Sequence, residues 1–185
     1  MSVDEKELKE SSQESKKKGF SQPTLLGEVL RVMLKIAIVA VVFVLLFTFM
    51  FGLTFVKDNS MKPAVKDGDV VIYYRLDKTY ISKDVILVEF EKEVQVRRVV
   101  AVAGDVVDIT ENGLLINGNL QYEEDIYYNT MPYIEGVTFP IQIGNGELFI
   151  LGDMRLNAVD SRLYGVVNEK DVLGKVMTVI RRRGL

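Results

Sequence analysis

Histidine and cysteine are both missing from this 185-residue chain. Without histidine there is no Ser-His-Asp triad, no Cys-His pair and no histidine-ligated zinc. Without cysteine there are no disulfides and no thiolate metal sites. No metal and no cofactor is expected, and any hydrolytic chemistry falls to Ser, Lys, Tyr or carboxylates. A strong charge of one sign is missing too. With 23 Lys and Arg against 26 Asp and Glu, the net charge is -3, which gives nucleic acid no basic surface.

Apolar residues are plentiful, at 48% of the chain, and unevenly spread. Met1 to Lys18 carries five acids and five lysines and cannot bury enough apolar surface to fold alone. Residues 1–24 are expected to be a disordered cytoplasmic tail. Leu25 to Lys35 is amphipathic and suits a membrane surface. Ile36 to Val56 follows, 21 residues without a charge, long enough to cross about 30 Å of hydrocarbon. A buried soluble helix rarely needs apolar residues on every face. A cleaved signal peptide needs small residues where Lys57-Asp58 stands. Residues 25–57 therefore read as a lead-in and a permanent transmembrane helix in the lipid bilayer. Lys16, Lys17, Lys18, Arg31 and Lys35 precede it, which predicts a cytoplasmic N-terminus and an extracytoplasmic domain over 58–185.

That domain reads as mainly β. β-Branched runs recur at Val70–Tyr74, Val85–Phe90, Val94–Val102, Val106–Thr110, Phe149–Leu151 and Val176–Ile180. Asn112-Gly113 predicts a hairpin between Val106–Thr110 and Leu114–Ile116. From Leu120 to Gly136 the periodicity fades, which predicts a surface excursion. No long helix is expected after the anchor. The basic end Arg181-Arg182-Arg183 reads as a solvated tail, with contact to anionic lipid as the sharper alternative.

Asn59-Ser60-Met61-Lys62-Pro63 follows the apolar run so closely that Ser60 is expected at most roughly 14 Å from the bilayer edge. A serine in a turn is usually a turn residue, but this one has company. Gly68-Asp69 precedes a strand. Arg97-Arg98-Val99-Val100-Ala101-Val102-Ala103-Gly104-Asp105 follows, then Gly152-Asp153-Met154-Arg155 and Asp160-Ser161-Arg162-Leu163-Tyr164-Gly165. In order and spacing these segments resemble the boxes of bacterial type I signal peptidases, Gram-positive members included. The resemblance covers the chain from the anchor to about Gly174. It implies a signal-peptidase-type β-fold on the outer membrane face, behind one N-terminal transmembrane helix, and a Ser/Lys dyad that removes signal peptides. It makes Ser60 the nucleophile, with its backbone N–H in the oxyanion hole, and lets Met61 and Pro63 shape the turn. It makes Arg98, Asp153, Arg155, Asp160, Ser161 and Arg162 a polar scaffold, in which Asp153 pairs with Arg98 and Asp160 with Arg162.

Four positions depart from the family pattern. Arg97 stands where the family has its general-base lysine. Lysine must fall from about 10.4 to 7–8 to accept the serine proton, whereas arginine would have to fall by at least about 5 units, around 7 kcal/mol. Arg97 is not expected to work as a base. Ala158 replaces the serine that orients the lysine, Met154 replaces the usual asparagine, and Asp58 stands where members have Ser or Gly. An acid pointing inward there opposes a developing oxyanion. Lys57, Lys62, Lys66 and Lys92 are candidate substitutes, but the sequence gives none of them a buried cradle.

Two functions follow from the resemblance. One is a membrane serine endopeptidase, a type I signal peptidase acting on signal-peptide-bearing preproteins, or a catalytically impaired member of that family. The alternative is a non-catalytic signal-peptidase-like chaperone or adaptor for surface-pilus assembly, holding pilin subunits as an added strand.

Overall fold

The computed structural model describes residues 24–124 and 126–181. The expected tail falls outside them apart from Thr24, as do Arg182 and Arg183. Helix α1 runs from Leu25 to Met50, 26 residues with none of them buried. It is long and apolar enough to cross a membrane.

The helix takes in the whole amphipathic lead-in, but it stops short of the expected end at Val56. Phe51–Phe55 is strand β1 instead, paired antiparallel with β2 (Val70–Tyr74) from Phe51 opposite Tyr74 to Phe55 opposite Val70. The reason is local. Apolarity alone does not distinguish helix from strand, whereas Phe, Thr and Phe flanking a glycine favour the pleated form. Gly52 faces the ring of Tyr73, where a Cβ would come within 2.2 Å. Ser60 consequently lies beyond an intervening strand, and its expected distance from the bilayer edge no longer follows.

The remaining strands are β3 (Val85–Phe90), β4 (Glu93–Ala101), β5 (Val106–Thr110), β6 (Gly113–Ile116), β7 (Asn119–Leu120), β8 (Ile141–Gln142), β9 (Glu147–Leu151), β10 (Val167–Asn168) and β11 (Val172–Ile180). They form an antiparallel seven-stranded sheet in the order β1-β2-β11-β3-β4-β9-β10 and a four-stranded sheet in the order β7-β6-β5-β8. The fold is mainly β, as the recurring β-branched runs predict. Among the described residues a short α-helix, α2 (Ser161–Tyr164), and a 3-10 turn at Glu169–Asp171 interrupt the strands.

The predicted hairpin joins β5 to β6, but Thr110 faces Gly113, so the loop is Glu111–Asn112. Gly113, at φ 118°, already belongs to the strand. Asn117-Gly118, between β6 and β7, has the two positive φ angles, 52° and 79°, that a type I′ loop needs.

Buried side chains form three clusters. Ile86, Val88, Val99, Leu148 and Ile150 pack on one another within the large sheet. Val107, Ile109 and Leu114 of the small sheet pack on Val100, Ala101, Phe149 and Leu151 of the large one. Val56, Met61 and Val65 of the β1–β2 connection pack on Val71, Leu87 and Val96. This last cluster nails down the segment that carries Ser60.

Gly52→Val would drive a branched side chain into Tyr73. The expected cost is about 1–3 kcal/mol, read as a fall of several degrees in the Tm of the full chain in detergent. An unchanged Tm would show that β1 does not lie against β2.

Candidate active site

The β1–β2 connection closes on itself before any chemistry is considered. Val56 donates its N–H to the Asp69 carbonyl and accepts from Gly68, both at 2.9 Å. Asp69 caps Lys66 N–H at 3.0 Å, and Asn59 accepts from Asp67 N–H at 3.2 Å. Met61 is fully buried, while Pro63 lies exposed on the same turn. Ser60 is 9% exposed. Its carbonyl accepts the Met154 N–H at 2.8 Å, which ties this loop to the one after β9. Gly152 makes that approach possible. A Cβ there would lie 2.7 Å from the Ser60 carbonyl and 2.4 Å from the Ala158 Cβ. Ala158 is therefore a close neighbour of Ser60.

Arg97 leaves β4 with its side chain 1% exposed. Its Nη1 donates to Asp58 Oδ2 at 3.1 Å and to the Val96 carbonyl, and its Nε donates to the Val159 carbonyl at 3.0 Å. Tyr164 lies alongside: burial pushes its phenol up, and the Arg97 charge partly opposes that. The other Asp58 oxygen accepts the Ser60 N–H at 3.2 Å. One carboxylate thus spans the guanidinium and the backbone donor expected in the oxyanion hole. Among the described residues the Ser60 hydroxyl makes no hydrogen bond. Lys57, Lys66 and Lys92 are exposed and Lys62 half-buried, so none of them sits in a buried cradle.

The other three arginines around the site are also paired. Arg98 makes a bidentate contact with Asp153 at 2.8 and 2.7 Å, the planar fork-to-carboxylate geometry that arginine is built for. Arg162 grips Asp160 through Nε and Nη2, both at 2.9 Å, with both side chains buried. Asp160 also caps α2 through Arg162 N–H and accepts the Gly152 N–H at 3.0 Å. Ser161 Oγ accepts from Ile150 N–H at 3.0 Å and anchors the same helix to β9. Arg155, buried, donates to the Gly152 carbonyl at 2.9 Å, to Glu123 at 2.7 Å through Nη2, and to Thr130. Tyr133 donates to the Ala158 carbonyl at 2.8 Å and lies under the Arg162 guanidinium.

The sequence profile described as "Signal peptidase, peptidase S26" matches residues 29–180. The chain belongs to the signal peptidase family. A signal peptidase IB of Staphylococcus aureus is 32% identical over 160 residues, covering 75% of this chain and 83% of the relative. A signal peptidase I of Bacillus licheniformis is 30% identical over 154 residues, covering 76% and 82%. A crystal structure of a signal peptidase I from Enterococcus faecalis V583 covers 54% of this chain and 97% of its own, at 23% identity and a TM-score of 0.44.

All the residues singled out from this family's pattern lie in the β1–β2 connection and the segment after β9, which meet at Gly152, on β4, or in and just before α2. Arg98 pairs with Asp153 and Arg162 with Asp160. The partners of Arg97 and Arg155 did not emerge from the sequence. Asp58 was singled out only as an intruding acid, and Glu123 and Thr130 not at all. The signal available for Glu123 was thin, a carboxylate in a stretch without periodicity.

Asp160→Asn keeps the shape but leaves the Arg162 charge buried without its counter-ion. We expect a loss of about 3–5 kcal/mol, measured by chemical denaturation of the full chain in detergent. A loss under about 1 kcal/mol would mean that the pair is hydrated and the scaffold looser than it looks.

Proposed function

We propose that this chain binds exported proteins through their signal segments without cutting them by the family's Ser/Lys chemistry. The observation that carries this reading is the Asp58 carboxylate, which holds Arg97 on one oxygen and the Ser60 N–H on the other. A guanidinium is not deprotonated in a protein, so position 97 cannot take the serine proton. A backbone N–H already bonded to an anion is a poor donor to a second one forming beside it.

Binding does not need either group. The Ser60 loop is held by Met61 and by the Met154 N–H, not by the lost dyad. Next to it, β4 pairs with β3 from Glu93 to Arg98 but with β9 only from Arg98 to Ala101. Among the described residues no strand covers the other edge of Glu93–Arg97. An open edge beside a fixed loop suits an extended peptide added as a strand. With α1 crossing the bilayer and the β-domain outside, the chain is tethered on the side where exported proteins emerge. A pilin subunit is the partner to try first, because an adaptor must hold such a subunit and leave it whole.

The test uses the full chain in detergent or proteoliposomes, with a preprotein carrying an Ala-x-Ala site and a pilin precursor. We expect retention of an uncut precursor by the natural protein and by Ser60→Ala alike, with no cleavage above the Ser60→Ala background. Cleavage by the natural protein that Ser60→Ala abolishes would establish an active peptidase and end this reading.

A further inference from the structure

We infer that Asp58 is a separate lock on the reaction, so that restoring lysine at position 97 and serine at position 158 does not restore cleavage while Asp58 remains. The inference rests on the non-cleaving reading above and extends it to a residue that belongs to neither half of the dyad.

The acyl-transfer cycle makes two demands here. The Ser60 hydroxyl adds to the scissile carbonyl while its proton passes to an amine at position 97. That proton then goes to the leaving amine nitrogen as the peptide bond breaks. Water next attacks the acyl ester, again giving its proton to the amine, and that proton returns to Ser60 Oγ as the acid leaves. The amine must therefore be neutral at the start of each half, and the carbonyl oxygen needs a free N–H as it takes on charge.

Asp58 works against both. Its Oδ2 lies 3.1 Å from the guanidinium nitrogen of the group it would share with a lysine, and a carboxylate at that range favours the charged form of an amine. Its Oδ1 occupies the Ser60 N–H at 3.2 Å. The Asp58 side chain is 38% exposed, so it is held in place by these two contacts and not by burial. Among the described residues no other group near position 97 supplies the same effect. Tyr164 and Tyr133 face it, and burial pushes both phenols up, so they stay neutral. Asp160 is taken by Arg162.

The experiment compares full-length Arg97→Lys/Ala158→Ser with the triple variant that adds Asp58→Ser, and with the version that adds Asp58→Asn. Thermal unfolding confirms that each is folded, and cleavage of the Ala-x-Ala preprotein is followed from pH 6 to 10. We expect the double variant to be at least about 100-fold slower than the Asp58→Ser triple at neutral pH, the size of one general-base or oxyanion contribution. Its residual activity should rise only at a pH about 1–3 units higher. The Asp58→Asn triple should recover the lower pH midpoint but less of the rate, since an amide oxygen still accepts the Ser60 N–H. Equal rates and equal midpoints for the double and both triples would overturn the inference, as would a folded Asp58→Ser triple that stays silent. Cleavage by the natural protein is scored separately and tells against the non-cleaving reading, not against the role of Asp58 within it.

Discussion

A guanidinium that is 1% exposed cannot shed its charge, and a protein that buries one has to supply an anion and acceptors within reach. Arg97 receives one carboxylate oxygen from Asp58 and two backbone carbonyls, from Val96 and Val159. Those three acceptors come from the β1–β2 connection, from β4 itself and from the segment before α2. The Arg97 side chain therefore clamps three parts of the site together. A neutral lysine makes a different demand, since it needs an apolar surround and no nearby acid. Arginine at 97 and an acid at 58 belong to one electrostatic solution, and the buried arginine is costly without the acid.

The same solution is repeated around the site. Arg98, Arg155 and Arg162 each hold their own carboxylate, and each pair also ties down loop backbone. Arg98 reaches the Lys83 carbonyl, Arg155 the Gly152 carbonyl, and Asp160 the Gly152 N–H. Gly152 sits where these ties converge, pressed between the Ser60 carbonyl and Ala158. Exposed ion pairs contribute little, but these are buried on at least one side, so breaking one strands a charge. The Ser60 loop joins this network through the Met154 N–H and rests on Met61 below it.

How much of this the sequence could disclose depended on the range of the interaction. Strands alternate or run apolar within a few residues, so β2, β3 and β5 were legible residue by residue. Asp160 and Arg162 are two apart, and the family pattern placed Arg98 with Asp153. The Arg97–Asp58 and Arg155–Glu123 pairs span 39 and 32 positions, and no local pattern announces them. The end of α1 was lost for a different reason. Phe51–Phe55 is as apolar as the helix before it, and only the pairing with β2 decides its conformation. Pairing across a loop is a tertiary fact, invisible to a window of hydropathy.

Loss of the base need not loosen the groove, and the physics of the Ser60 loop shows why. Its position depends on an apolar anchor and on backbone hydrogen bonds, none of which involves the serine hydroxyl or the side chain at 158. Chemistry here is a matter of two or three side chains, whereas shape is a matter of the network that holds their backbones. On the non-cleaving proposal, the residues at 97, 158 and 58 would take away the first and leave the second in place, and the Arg97–Asp58 pair adds a tie of its own. A fold arranged in this way can stop cutting and still present the same loop and open strand edge to a passing chain.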